Sequence, residues 1–264
     1  MSVATKYARI FSLGISEMLA WRFGYFVMAL GSAINLLVLF IFWTAVYQDG
    51  NQIGSYSLEQ LLIYYAFSIT LQILMDYSFV WGVSEALHQG NLSQYLIRPI
   101  SYINFLFVKE FGVRVATIAS FAVPLAGVVI YFHDRLPNSL LAWILFAATT
   151  VFGFIVVSLF GILFAMTTVW FQNPHIAGSL FFTTSFLLSG RLVPIDLMPA
   201  WLASIARWSP FPFVTGMPLE FVLGNRAGFS IQELLIGLVW FVVLLFSAQR
   251  AWKWAVIKYE AGGA

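Results

Sequence analysis

The sequence predicts an all-α integral membrane protein with six transmembrane helices, an N-terminal interfacial amphipathic helix and a re-entrant helical hairpin between spans five and six. Three observations lead to this fold class. Apolar residues make up 61% of the 264 residues, charged residues only 9%, and the mean hydropathy is +0.89, whereas a water-soluble domain carries about 25% charged residues. Several long stretches contain no Asp, Glu, Lys or Arg. One further segment combines many prolines with many apolar side chains.

The uncharged stretches give the predicted spans, since a membrane helix needs about 20 mainly apolar residues. They lie at 23–48, 60–84, 115–132, two within 136–190, and 234–249. Asp76 alone interrupts the second, and residues 172–175 divide the long fourth stretch. Ser57–Gln60 and Ser230–Glu233 match the capping box, in which a serine and a Glu or Gln three residues later open a helix. No linker or repeat divides the chain, so residues 1–264 form one predicted membrane domain.

Lysine and arginine predict the orientation of the chain. With the N-terminus inside, the inside segments hold nine of these residues and the outside segments hold four. The inside residues are Lys6, Arg9, Arg22, Arg98, Lys109, Arg114, Arg250, Lys253 and Lys258; the outside residues are Arg135, Arg191, Arg207 and Arg226. Because cytoplasmic loops carry the excess of positive charge, both termini are predicted to be cytoplasmic.

The composition also excludes several function classes. Thirteen Lys and Arg against eleven Asp and Glu leave no basic surface for nucleic acid. Cysteine is absent, which excludes thiolate metal sites, and none of the three histidines has a second ligand at metal spacing. No phosphate-binding loop and no hydrolase motif occurs. The chain is therefore predicted to hold no catalytic residue, no metal and no cofactor of its own.

Residues 1–21 predict an amphipathic helix in the inner membrane interface. Its apolar positions recur at helical spacing, and polar residues occupy the rest of the wheel. The apolar positions are Val3, Tyr7, Ile10, Phe11, Gly14, Ile15, Met18 and Leu19. Such a helix is either a surface anchor or a docking element for a cytoplasmic partner.

The inside loop at residues 84–101 predicts a second short helix. Gly90 can end the preceding helix in the left-handed conformation. Residues 91–97 then place Leu92, Tyr95 and Leu96 on one side of two helical turns, and Arg98-Pro99 ends them because the residue before proline avoids helical angles. This apolar face either packs on its own chain or fits the groove of a partner.

The outside segment at residues 189–230 is the proline-rich and apolar one. Five of the nine prolines lie here, and neither half of the segment is long enough to span before a proline intervenes. We predict two short helices, near 199–208 and 212–223, that dip into the outer leaflet, where protein must shield any irregular backbone. Asp196 and Arg207 would cap or anchor these helices at the headgroups.

Polar residues inside the predicted spans are the remaining candidates for function. Asp76 is the only acid within an apolar span, and it is either a functional group or the partner of Arg114 in a structural ion pair. Glu110 competes for that arginine from four residues away. Two further groups either serve close helix packing or line an amphipathic substrate path. They are Tyr64, Tyr65, Ser68 and Gln72 in span two, and Phe181, Phe182, Thr184 and Ser185 in span five.

Three short motifs, in this order and spacing, resemble a known family. The first is Gly90, Leu92, Leu96, Arg98, Pro99 and Ile100 in the inside loop. The second is the outside stretch 189–194, 197–202 and 209–211, and the third is the tail 258–263. Together with the topology, they resemble the permease (membrane) subunit of type-2 ATP-binding cassette transporters, the bacterial exporter class.

The resemblance implies partners, a site and a location. Two cytoplasmic ATPase subunits would hold ATP and Mg²⁺ and dock on the N-terminal helix and on the inside loop at residues 84–101, the coupling loop. A second permease, identical or a sister chain, would complete the complex in lipid of the bacterial inner membrane. Spans two and five would face that permease and line the path of an exported amphipathic drug, lipid, peptide or glycolipid, as in multidrug efflux. The coupling residues would be Gly90, Leu92, Tyr95, Leu96, Arg98, Pro99 and Ile100. An ion-coupled secondary transporter or channel using Asp76, or a scaffold without transport, remains the alternative.

Overall fold

The computed structural model describes residues 2–47, 54–75, 78–88, 100–168 and 174–258. In these ranges 84% of the residues are helical and none lies in a β-strand, which confirms the all-α class. The α-helices are α1 (Val3–Ala20), α2 (Arg22–Tyr47), α3 (Leu58–Leu74), α4 (Ser78–His88), α5 (Tyr102–Tyr131), α6 (Leu140–Met166), α7 (Pro174–Leu188), α8 (Ala200–Trp208), α9 (Gly216–Val222) and α10 (Ile231–Lys258).

Both predicted capping boxes are confirmed, and they fix where α3 and α10 begin. The Ser57 hydroxyl accepts from the Gln60 amide at 3.2 Å, and the Gln60 side chain accepts from the Ser57 amide at 2.9 Å. Ser230 and Glu233 exchange the same two bonds at 3.2 and 2.8 Å. Each box satisfies two backbone N–H groups that the first helical turn leaves without an internal acceptor.

Three helices of the described chain are long and apolar enough to cross a bilayer: α2, α6 and α10. Two shorter apolar helices accompany them, α3 and residues 178–188 within α7. The chain is thus a multi-pass membrane protein. Only 6% of the most apolar window of α2 is buried inside the chain, so this helix presents most of its surface to lipid or to another subunit.

Helix α6 is the centre of the packing. It contacts α4, α7, α9 and α10, and its buried residues include Val156, Val157, Ile162 and Ala165. A second apolar cluster joins the end of α2 and the buried face of α3 to Leu219 and Val222 of α9. The segment that follows α7 is therefore packed into the helical body from both sides.

That segment contains the two predicted short helices, as α8 and α9, with one difference. The second helix was expected near 212–223, but residues Phe211–Phe213 form a separate 3₁₀ turn and α9 starts only at Gly216. Thr215 has non-helical angles, φ −138° and ψ −57°, and this interrupts the helix. A Cβ atom at Gly153 of α6 would collide with the Phe213 carbonyl oxygen, so the backbone of the turn lies directly on α6.

Candidate functional site

The N-terminal helix α1 packs along the first half of α5 through two glycines. A Cβ atom at Gly14 would collide with the carbonyl oxygen of Lys109 and would lie 2.9 Å from the amide nitrogen of Val113. A Cβ atom at Gly112 would collide with the carbonyl oxygen of Phe11 and would lie 3.4 Å from the Gly14 Cα. The two backbones are in contact, and at both positions only glycine allows this approach.

The amphipathic helix predicted at residues 1–21 is confirmed as a helix, and its apolar face is divided between two surroundings. Ile10, Gly14 and Met18 are buried, and α5 is the main packing partner of α1. Val3 and Leu19, assigned to the same face, are 69% and 59% exposed. Helix α1 therefore keeps apolar surface outside the chain while one stripe fixes it to α5.

A row of charged side chains runs across this contact. Lys109 of α5 lies 2.9 Å from Glu17 of α1 and 3.6 Å from Glu110. Glu110 in turn lies 3.0 Å from Arg114, whose side chain is 2% exposed. The row connects the exposed edge of α1 with the buried side of α5, so a displacement of α1 changes the surroundings of a buried ion pair.

The structure does not test the predicted ion pair of Asp76 with Arg114, because Asp76 lies outside the described residues. The competing pair that the spacing indicated, Glu110 with Arg114 at i,i+4, is confirmed at 3.0 Å. The Asp76–Arg114 pair stays a prediction.

Most of the predicted coupling loop also falls outside the described residues. These positions are Gly90, Leu92, Tyr95, Leu96, Arg98 and Pro99, while Ile100 is described and is half-buried. Helix α5 begins two residues later, and its first residue, Tyr102, stacks on Trp252 of α10 at 5.7 Å between ring centroids. The start of α5, where the chain leaves the loop, is thus held by α10, and the helix it opens packs on α1.

In span two, the predicted path residues Tyr64 and Tyr65 bond to the chain itself. The Tyr64 hydroxyl donates to the Gly190 carbonyl at 2.5 Å and the Tyr65 hydroxyl to the Leu192 carbonyl at 3.0 Å. Gly190 has φ +85°, which glycine adopts without strain. Ser68 is buried and Gln72 is exposed. The two tyrosines therefore tie the start of the outside segment to α3, a tertiary role that local sequence pattern did not reveal.

In span five, the predicted path residues lie on both sides of α7. Phe181 and Ser185 are buried, Thr184 is half-buried and Phe182 is exposed. The Thr184 hydroxyl donates to the Leu180 carbonyl at 2.8 Å. Arg191 lies over the rings of Phe182 and Phe186, 5.6 and 5.2 Å from their centroids, a cation–π arrangement. The side of α7 outside the chain thus mixes aromatic rings with a cation.

Tyr64→Phe is expected to lower the free energy of unfolding by about 1–2 kcal/mol, because the buried Gly190 carbonyl loses its donor. The midpoint of thermal unfolding in detergent measures the change. Tyr131→Phe is the matched control, since Tyr131 is 78% exposed, and it should leave the midpoint in place. Equal midpoints for the two variants would contradict the assigned role of Tyr64.

The second group of charges lies where the outside segment returns to α10, and sequence reasoning missed it. Arg226 bridges two carboxylates, with both Glu220 and Glu233 at 2.5 Å. Burial raises the pKa of Glu220, and the neighbouring Arg226 opposes that shift. Arg207 pairs with Asp196 at 2.8 Å, so these two residues anchor each other. The only advance signal for the bridge was the Ser230–Glu233 capping box.

Comparison of the sequence with known families identifies the family of this chain. No curated protein matches the chain. The sequence model of a family described as "ABC-2 family transporter protein" matches residues 33–263, which is far more than half of the chain. The chain therefore belongs to the ABC-2 transporter family, as a transmembrane permease that works with an ATP-binding cassette subunit.

Proposed function

We propose that this permease is the membrane subunit of an ATP-driven exporter in the bacterial inner membrane. It crosses the membrane six times, with both termini in the cytoplasm. Two separate ATPase subunits bind ATP and Mg²⁺, and a second permease, identical or a sister chain, completes the complex. The substrate is amphipathic: a drug, lipid, peptide or glycolipid that leaves the cytoplasm or the inner leaflet.

The observation that supports this proposal best is the glycine contact between α1 and α5. Packed interiors transmit displacement because they deform little, and here two backbones touch with no side chain between them. A cytoplasmic subunit that pushes on α1 or on the loop before α5 would move both helices together. Leu13 and Leu19 of α1 and Trp21, the residue that follows the helix, are 49%, 59% and 71% exposed. This apolar surface suits a helix that meets headgroups and a docked subunit.

The charge distribution supports the orientation, since the predicted inside segments hold nine Lys and Arg and the outside segments four. In this orientation α1 and residues 84–101 face the cytoplasm, and residues 189–230 form the re-entrant segment of the outer leaflet. The bonds of Tyr64 and Tyr65 to the carbonyls of Gly190 and Leu192 then hold the start of that segment on α3.

The proposed path lies along the surfaces that the chain leaves uncovered. Leu180, Phe182 and Leu187 of α7 are 50%, 41% and 40% exposed, and Gln72 of α3 is exposed as well. Phe181 and Ser185 support this surface from behind. A second permease facing α7 would close a path lined by aromatic rings and a few polar groups, which suits an amphipathic substrate.

Co-purification tests the proposal. The tagged chain, extracted from its native membrane in mild detergent, is expected to carry a stoichiometric soluble subunit with a phosphate-binding loop, identified by mass spectrometry. A second permease chain in the eluate would make the complex a heterodimer. Recovery of the chain alone, stable and oligomeric, would reject the ATP-driven mechanism and favour the ion-coupled transporter that uses Asp76.

Arg98→Glu tests the role of the coupling residues in the same preparation. In the proposed mechanism this variant inserts normally but loses substrate-stimulated ATP hydrolysis, because the charge at the coupling loop is reversed. Arg135→Glu makes the same change at an exposed residue on the predicted outer side, 63% exposed and paired with Glu59. Stimulation of ATP hydrolysis by substrate should persist in Arg135→Glu. If it also persists in Arg98→Glu, the coupling loop does not couple hydrolysis to transport.

A further inference from the structure

A cavity of about 520 Å³ lies where the outside segment meets the start of α10. Cavities that hold small organic ligands have volumes of about 300–1,000 Å³. One part of the lining is apolar, formed by Ile195, Pro212, Phe213, Met217 and Ile236. The other part is polar, and its charged members are Asp196, Arg207, Glu220, Arg226 and Glu233. The cavity therefore has the two-sided character of an amphipathic ligand.

The charges that line the cavity do not cancel. Three carboxylates, on Asp196, Glu220 and Glu233, face two guanidinium groups, on Arg207 and Arg226. Arg207 neutralises Asp196 at 2.8 Å. Arg226 must serve both Glu220 and Glu233, each at 2.5 Å. The lining thus keeps one negative charge in excess, next to the apolar wall.

The excess charge is placed where it acts strongly on a ligand. The side chains of Glu220 and Glu233 are only 18% and 23% exposed, and charges shielded from water interact more strongly than surface charges do. Burial raises the pKa of Glu220 despite the adjacent Arg226, so its carboxylate gains from any further positive charge nearby.

The arrangement favours an organic cation over a metal ion. In the described part of the chain, no three Asp, Glu or His side chains converge closely enough to hold a metal. Arg226 stands between Glu220 and Glu233 and would repel a compact dication. A diffuse monovalent charge attached to an apolar body can contact the carboxylates while its body covers Phe213 and Met217.

We propose that this cavity binds amphipathic monovalent organic cations, with the cationic group against Glu220 and Glu233 and the apolar body against Phe213, Met217 and Ile236. The inference rests on the proposed function, in which residues 189–230 lie on the outer side. It narrows the substrate class of that function from amphipathic molecules in general to cationic ones, and it places their contact on the outer side of the membrane.

Equilibrium binding of radiolabelled tetraphenylphosphonium to the full chain in lipid nanodiscs tests the proposal, with empty nanodiscs subtracted. Glu220→Gln removes the excess charge, and we expect binding to weaken about tenfold, as a difference of about 1.4 kcal/mol implies. Glu59→Gln is the matched control: this carboxylate is 47% exposed, pairs with Arg135 and does not line the cavity. The Glu59→Gln chain should bind tetraphenylphosphonium with the affinity of the unchanged chain.

A second variant keeps the test decisive if Glu220→Gln fails to fold. Asp196→Asn changes a side chain at the cavity that is 48% exposed, and it should weaken binding about threefold without loss of fold. Radiolabelled tetraphenylborate, which has the same shape and the opposite charge, is measured in a separate sample and should not bind above the level of empty nanodiscs. Unchanged affinity in both variants, or binding of the borate as tight as that of the phosphonium, would overturn the proposal. Because the assay contains no ATPase, its outcome is separate from that of co-purification.

Discussion

Gly14→Ala is expected to destabilise the protein by about 2 kcal/mol, although alanine is the better helix former. In a helix interior, replacing glycine with alanine usually stabilises by about 1 kcal/mol. Here the new methyl group would collide with the Lys109 carbonyl oxygen and lie 2.9 Å from the Val113 nitrogen. Both are backbone atoms that cannot swing away, so α1 must separate from α5, and overpacking of this kind costs about 1–3 kcal/mol.

The matched control is Gly24→Ala, near the start of α2. A Cβ atom there meets nothing within 4 Å, so the propensity gain remains and the variant should be more stable by up to about 1 kcal/mol. Thermal unfolding in detergent should therefore shift in opposite directions for the two variants. Shifts of the same sign would show that the α1–α5 contact is looser than the structure indicates.

Gly14→Ala also tests whether the α1–α5 contact couples ATP hydrolysis to transport. If α1 and α5 move as one body, Gly14→Ala should lower substrate-stimulated ATP hydrolysis more than it lowers the amount of inserted protein. Gly112→Ala changes the partner position, where a Cβ would collide with the Phe11 carbonyl oxygen, and should act in the same way. Loss of inserted protein in parallel with activity would make the contact purely structural.

Features set by local physics could be predicted from the sequence, and those set by contacts between distant residues could not. The capping boxes that begin at Ser57 and Ser230 depend on four consecutive residues, and both formed as predicted. The amphipathic pattern of residues 1–21 correctly predicted a helix. It did not indicate that Gly14 meets Gly112, because a helical wheel shows which face is apolar and not which backbone approaches it.

The candidate site shows the same division. Tyr64 and Tyr65 were assigned to helix packing or to a substrate path, since polar groups in an apolar span allow either. Their bonds to Gly190 and Leu192 join positions more than 120 residues apart, with separations of 126 and 127, and no periodicity encodes such a distance. Arg226 escaped notice for a similar reason: a single arginine in a polar loop shows nothing until Glu220 and Glu233 are brought to it.

Substitution of Arg226 is the second change for which we expect a large loss of stability. Arg226→Met should lower the free energy of unfolding by about 2–3 kcal/mol, because it leaves Glu220 and Glu233 beside each other without a cation. Removing one partner of a buried ion pair costs about 3–5 kcal/mol; the smaller value applies here because the Arg226 side chain is 25% exposed. Thermal unfolding at neutral pH measures the loss.

The control is Arg207→Met, whose pair with Asp196 is 61% and 48% exposed, so that about 0–1 kcal/mol is expected. Adding Glu220→Gln and Glu233→Gln to Arg226→Met should restore most of the stability, because no uncompensated charge is then left. An unrestored triple variant would mean that Arg226 acts through packing of its side-chain stem.

The pH dependence of Arg226→Met identifies the charge as the cause. Burial already raises the pKa of Glu220, and Arg226 is the group that opposes this shift. Without the arginine, the folded-state pKa rises further above the unfolded value, so the folded state binds the proton more tightly than the unfolded state does. Stability of the variant should therefore recover as the pH falls through that pKa, and decline as the pH rises through it. If Arg226→Met loses the same stability at every pH, the loss is due to packing and not to charge. Arg226 would then shape the cavity beside it without setting the ionisation of Glu220.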